Sequence, residues 1–146
     1  PFKILHISQF IEAHLPQILP RLRAWPVNLT YHDPCHLGRR MGVYNAPRSL
    51  LQNIPQINFK ELQSSKESAL CCGAGGGFRL NFKDVSLALG KRRNRQAINL
   101  HVEILATSCV FCKYNLKQAQ ESEQNCSSPK LQILNLEDVV VLLLDL

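Results

Sequence analysis

Residues 27–40 read VNLTYHDPCHLGRR, and their order decides the fold. Val27 to His32 are β-branched and alternating, the pattern of a strand, and the strand stops at Asp33–Pro34. Cys35 follows at once, with His36 beside it and Gly38 two residues on. A thiol at the mouth of a strand needs partners, and the rest of the chain supplies them.

The same arrangement recurs. Val102 to Ala106 in VEILATS form a short apolar run bounded like a buried strand. CVFC follows, with Ser108 as a plausible N-cap for a helix starting near Cys109. A third thiol site, the pair Cys71 and Cys72, opens the glycine-rich CCGAGGG at 71–77. Further strands are expected at INFKEL (57–62) and LQILNL (131–136), joined by the polar QSSKES (63–68). Helices are expected in two pieces over the first 25 residues, where Ile4, Ile7, Phe10, Ile11 and Leu15 keep helical spacing and Pro16 closes the run. Others are expected between Pro47 and Pro55 with Leu50, Leu51 and Ile54 inward, from about Asn81 to Leu100, and at EDVVVLLL (137–144). In the 81–100 helix, Val85, Leu87, Leu89, Ala97 and Ile98 are the expected buried side, and Gly90 weakens the helix or marks a break. Strands alternating with helices predict an α/β fold, a mostly parallel sheet flanked by helices, with the cysteine-bearing loops at the C-terminal ends of the strands.

The chain has 146 residues, 45% hydrophobic and 19% charged, with a formal charge of +6. That length suits one domain and one core. The basic cluster GKRRNR (90–95) reads as a solvated helix face; aromatic residues are only 7%, which offers few stacking platforms, so no nucleic acid is expected as a partner. No stretch reaches the roughly 18 consecutive apolar residues of a membrane helix, so no direct membrane span is expected. The expected location is cytoplasmic, or peripheral to a membrane complex held through other subunits. The opening PFKILHISQF, without an initiator methionine, reads as a fragment of something longer.

Six cysteines stand at 35, 71, 72, 109, 112 and 126. The first five follow three separate strands, which would bring them to one edge of the sheet. Cys126, in QNCSSP, lies outside the pattern and reads as a bystander. A disulfide framework runs against a chain with its own core and no secretory signal. A thioredoxin-like pair at Cys109 and Cys112 leaves the other three without a purpose. Zinc closes a shell of four ligands and leaves one thiol spare. Iron–sulfur chemistry matches best, because thiolates are its usual ligands and several irons accept more than four. Glycines such as Gly73 and Gly75 let backbone approach a bulky group and turn N–H groups toward sulfur. The run lacks the Lys–Ser/Thr ending of a P-loop.

YHDPCHLGR, YNAPRSLL, CCGAGGG and TSCVFC, with 35 residues between Cys35 and Cys71 and 36 between Cys72 and Cys109, resemble the cysteine-rich CCG domain. This domain is found in the catalytic subunit of heterodisulfide reductases and in related iron–sulfur subunits, and the wording favours the heterodisulfide-reductase branch. The resemblance implies a 4Fe-4S cluster of non-cubane type held by Cys35, Cys71, Cys72, Cys109 and Cys112, with zinc as the alternative occupant. It implies an oxidoreductase that reduces a disulfide or related small-molecule acceptor, fed by partner subunits or domains carrying ferredoxin-type clusters. The second reading is a zinc-bound structural domain that docks onto redox partners. With one CCG motif, residues 1–146 look like the C-terminal CCG half of a longer subunit. His36, next to a ligand, is the candidate proton donor to a leaving thiolate. His32 reads as a buried strand-end histidine bonded to backbone, and Asp33 and Pro34 as turn-shaping residues. Arg48 reads as a tack between helix and loop. Arg39 or Arg40 would either receive an anionic substrate or make a surface ion pair.

Overall fold

The computed structural model describes residues 2–123 and 131–144; Cys126 lies outside the described residues. Four strands form one all-parallel sheet in the order β2-β1-β3-β4: β1 (Asn28–His32), β2 (Asn58–Phe59), β3 (Ile104–Thr107) and β4 (Gln132–Asn135). The helices are α1 (Ile7–Ala13), α2 (Leu15–Ile18), α3 (Asn45–Asn53), α4 (Phe78–Asn81), α5 (Lys83–Asn99), α6 (Val110–Glu121) and α7 (Leu136–Leu143). The α/β expectation therefore holds.

A parallel sheet must bury both faces, and the period of two along its strands does so. Leu29 and Tyr31 of β1, with Ile104 and Ala106 of β3, face a core completed by Ile11, Leu50, Leu51, Ile54, Val139 and Leu143. Leu105 and Ile133 point the other way, against Leu116, Ala97 and Leu131. Thus α1, α3 and α7 cover one face, and α5 and α6 the other.

Four expectations need correction. The INFKEL strand contracts to two residues at the sheet edge, where β2 pairs only with β1. Pro16 does not close a helix; it occupies the first turn of α2, where a missing N–H costs nothing. Likewise α3 begins at Asn45 and carries Pro47 in its first turn. The largest change is α5. Its buried side is Ser86, Gly90, Arg93, Asn94 and Ala97, while Val85 is 52% exposed. Gly90 marks no break: a Cβ there would stand 2.7 Å from Ala119 Cβ. The glycine lets α5 and α6 cross closely, and close crossing leaves room for small and polar residues in the seam rather than leucines.

Candidate metal centre

The C-terminal ends of β1, β2 and β3 lead to three loops, and between them opens a cavity of about 740 Å³. Cys35, Cys71, Cys72, Cys109 and Cys112 all line it, together with His36 and Gly75. The placement follows from topology. The connection from β1 runs to β2 on one side, and that from the neighbouring β3 runs to β4 on the other, so the crevice lies where connections diverge.

Each loop is built differently. After β1, Asp33 carries the turn, and its carboxylate accepts from Arg48 at 2.7 and 2.9 Å and from the Lys66 amide at 2.8 Å. Asp33 and Pro34 thus shape the turn and Arg48 ties α3 to it. Cys35 precedes a π-helical turn, His36–Arg40, in which Gly38 lies under Tyr44; a Cβ there would meet the Tyr44 ring at 2.6 Å. Arg39 donates to the carbonyls of Glu67 and Ala69, so it fixes the segment before Cys71 rather than pairing with a carboxylate among the described residues. His36 is exposed on the cavity wall.

The second loop is bonded to α5 and α6. Gly73 has φ of +87°, and a Cβ would lie 2.6 Å from the Ser86 carbonyl. Its N–H donates to Cys71 Sγ at 3.3 Å, and its carbonyl accepts from Ser86 Oγ at 2.8 Å. Asn115, fully buried on α6, donates to the Cys72 carbonyl at 2.6 Å and to that of Ser86 at 3.1 Å. Gly75 differs from Gly73: nothing lies within 4 Å of its hypothetical Cβ, so it keeps the cavity wall open. In the third loop Cys109 itself is the N-cap of α6. Ser108 instead accepts from the Tyr31 hydroxyl at 3.0 Å.

The thiols are electrostatically distinct. The sulfurs of Cys72 and Cys112 share a hydrogen bond at 3.0 Å, and this bond, with further pull from Cys71 and then His32, draws Cys72 far down. Hydrogen bonding to Cys109 and then Cys72 pushes Cys112 up. Cys109 falls to about 6, chiefly through Cys112 and further through the amides of Cys112 and Phe111 at the start of α6. Cys71 is pushed up, chiefly by its hydrogen bond with Cys72 and then by burial. Thiolate, the form that binds metal, is thus favoured at Cys72 and Cys109 and disfavoured at Cys71 and Cys112.

Arg93, Asn115 and Arg79 are absent from the sequence reading. GKRRNR reads as solvated, yet Arg93 is wholly buried and Asn94 is 2% exposed. A signal exists: Ser86, Gly90, Arg93, Asn94 and Ala97 follow helical spacing, a stripe of small and polar residues. Arg79 bonds Asn115 and lies over the Tyr114 ring, 4.9 Å from its centroid. His32 departs from expectation too: its ring bonds the Arg93 side chain rather than backbone.

Five sulfurs line one cavity, one more than a tetrahedral ion takes. Among the described residues, the sulfurs of Cys72 and Cys112 and a ring nitrogen of His32 lie within 4.8 Å of one another, and His32 Nε2 faces no partner. No helix among the described residues is long and apolar enough to cross a membrane.

Residues 29–117 match the family model of the cysteine-rich CCG domain. The chain is 44% identical to one subunit of the dihydromethanophenazine:CoB--CoM heterodisulfide reductase of Methanosarcina barkeri, over 84% of this chain and 30% of that protein. It is 35% identical to one subunit of the fumarate reductase (CoM/CoB) of Methanothermobacter marburgensis, over 93% of this chain and 27% of that protein. With an EtfAB:quinone oxidoreductase of Syntrophomonas wolfei it shares 39% identity, over 59% of this chain and 13% of that protein. The chain spans about a third or less of the length of the curated relatives it matches.

Proposed function

The chain belongs to the cysteine-rich CCG domain family, and from that membership we propose that it is an iron–sulfur redox domain of a heterodisulfide reductase-like oxidoreductase. Cys35, Cys71, Cys72, Cys109 and Cys112 would hold a 4Fe-4S cluster of non-cubane type. The observation that carries the reading is the convergence of those five thiols, from three loops, on one cavity. When bound, such a cluster supplies one-electron steps and a Lewis-acidic iron for a substrate sulfur.

Reducing a disulfide breaks one S–S bond and forms two S–H bonds, consuming two electrons and two protons. The electrons come from partner domains or subunits carrying ferredoxin-type clusters, within the longer protein of which residues 1–146 form the C-terminal CCG half. The chain's own residues do the rest. His36, exposed at the cavity wall, delivers one proton to the departing thiolate, and solvent delivers the other. Leu80, Phe111, Tyr114 and Met41 make the cavity largely apolar, which keeps water from competing with a substrate sulfur. Gly73 donates its N–H to Cys71 Sγ, and Gly75 lines the cavity.

Anaerobic reconstitution with iron and sulfide tests the reading. Expected are bound iron with acid-labile sulfide and a paramagnetic signal in one oxidation state. Colourless protein that retains one zinc per chain and takes up no iron would overturn it.

A further inference from the structure

His32 ends β1 and is 1% exposed; with Cys35, Cys71, Cys72 and Cys112 it lines a narrow cleft of about 10 Å³ that shares these four cysteines with the main cavity. One ring nitrogen of His32 lies with the sulfurs of Cys72 and Cys112 in a group whose atoms are all within 4.8 Å of one another. Distance alone would make this histidine a metal ligand. Its other neighbour rules that out. Arg93, wholly buried on α5, places Nε 2.9 Å from His32 Nδ1. A guanidinium N–H can only donate, so Nδ1 must accept and the ring proton must sit on Nε2. Ligation through Nε2 would then require an imidazolate, with both nitrogens deprotonated, whereas a metal-bound histidine ordinarily donates its second N–H. Arg93 is itself fixed by the Ser64 carbonyl at 2.7 Å and Gln96 Oε1 at 2.8 Å. These bonds hold Arg93 against Nδ1.

We infer that His32 is a positioning residue of the centre rather than a ligand: Arg93 locks its imidazole in the Nε2–H tautomer, and that N–H donates to the sulfur of Cys72. His32 Nε2, which has no partner among the described residues, is the atom this assignment satisfies. An N–H donated to a cysteine sulfur withdraws electron density from the metal, which makes reduction easier. Arg93 has its own effect, a permanent cation one residue removed from the sulfurs, acting in the same direction. The inference rests on the cluster reading for its redox consequence but not for the tautomer.

Two measurements on this chain separate those parts. In 15N-histidine-labelled protein, reduced and metal-free, long-range proton–nitrogen correlation should show His32 as the Nε2–H tautomer. An Nδ1–H tautomer overturns the inference, whatever metal the protein takes. In reconstituted protein, His32→Leu should shift the one-electron reduction equilibrium about tenfold toward the oxidised form, about 59 mV, while His32→Gln, which can donate an amide N–H to sulfur and accept from Arg93, recovers most of the shift. An unchanged potential in folded His32→Leu overturns it. So does strong 15N hyperfine coupling from His32 in the wild-type cluster, which needs no variant and would prove ligation. Protein that shows the tautomer but binds no iron overturns the cluster reading alone.

Discussion

Arg48 grips Asp33 with both terminal nitrogens, at 2.7 and 2.9 Å, and both side chains are almost wholly buried. The pair joins α3 to the turn that aims Cys35. Burying two charges is costly, and the pair persists because its geometry is bidentate and because the Lys66 amide and Glu61 add further bonds. Removing one partner strands the other. Arg48→Met should cost about 3–5 kcal/mol in urea unfolding of the metal-free protein. Glu61→Gln should cost far less, since Glu61 is 38% exposed and the Asp33 contact survives. Equal losses in the two variants would refute the ranking.

Asn115 holds the Cys72 loop by a different means. Its amide nitrogen serves two carbonyls, Cys72 and Ser86, while its oxygen accepts from Ser86 Oγ and Arg79. Asn115→Asp keeps the acceptor and destroys the donor, setting a carboxylate against two carbonyl oxygens. Leaving such buried groups unmatched costs about 1–3 kcal/mol each. We expect Asn115→Asp to lose its reconstituted centre at least several-fold faster under a chelator than wild type, measured by bleaching of the visible absorption. A rate within error of wild type would show that this bond does not hold the loop.

The crossing of α5 and α6 inverts an ordinary helix rule. At an exposed helix interior Gly→Ala gains about 1 kcal/mol. At Gly90 the new methyl would stand 2.7 Å from Ala119 Cβ, and overpacking of this kind costs about 1–3 kcal/mol. Gly90→Ala should therefore lower the thermal midpoint, and adding Ala119→Gly should restore part of it. A midpoint raised by Gly90→Ala would mean that the helices separate freely.

How far the sequence can be read depends on which force governs each residue. The strands before Cys35 and Cys109 announce themselves because both faces of a parallel sheet are apolar and because proline and serine punctuate their ends. Once those strands are parallel, thiols 74 and 77 residues apart in the chain (Cys35 to Cys109 and to Cys112) are brought to one edge. The convergence is legible for that reason. Arg93 is not, because a buried arginine in a basic run carries no local mark; its partners, the His32 ring and the Ser64 carbonyl, come from distant parts of the chain. Hydropathy names Val85, Leu87 and Leu89 as the inner face, yet close helix crossing selects small size over apolarity. For Arg39 the sequence leaves substrate and surface equally open, and only the fold shows its carbonyl partners.

The N-terminus of α1 should respond to pH. His6 caps it: Nδ1 accepts the Ser8 amide at 3.2 Å, while the His6 amide donates to Gln9 Oε1 at 3.1 Å. Accepting at Nδ1 requires the neutral ring, and burial lowers its pKa below the usual 6.5, against a smaller opposing pull from Glu137. Because the folded value is depressed, the stabilisation is complete above about pH 6.5 and is lost as pH falls through the lower folded value. A cap of this kind is worth about 0.5–2 kcal/mol. Amide exchange within Ile7–Ala13, corrected for intrinsic rates, should lose protection between pH 7.5 and pH 5, and His6→Ala should show the low protection at both values. His6→Asn, whose side chain caps without titrating in this range, should abolish the pH response while keeping the protection. Equal pH responses in wild type and His6→Asn would place the titrating group elsewhere.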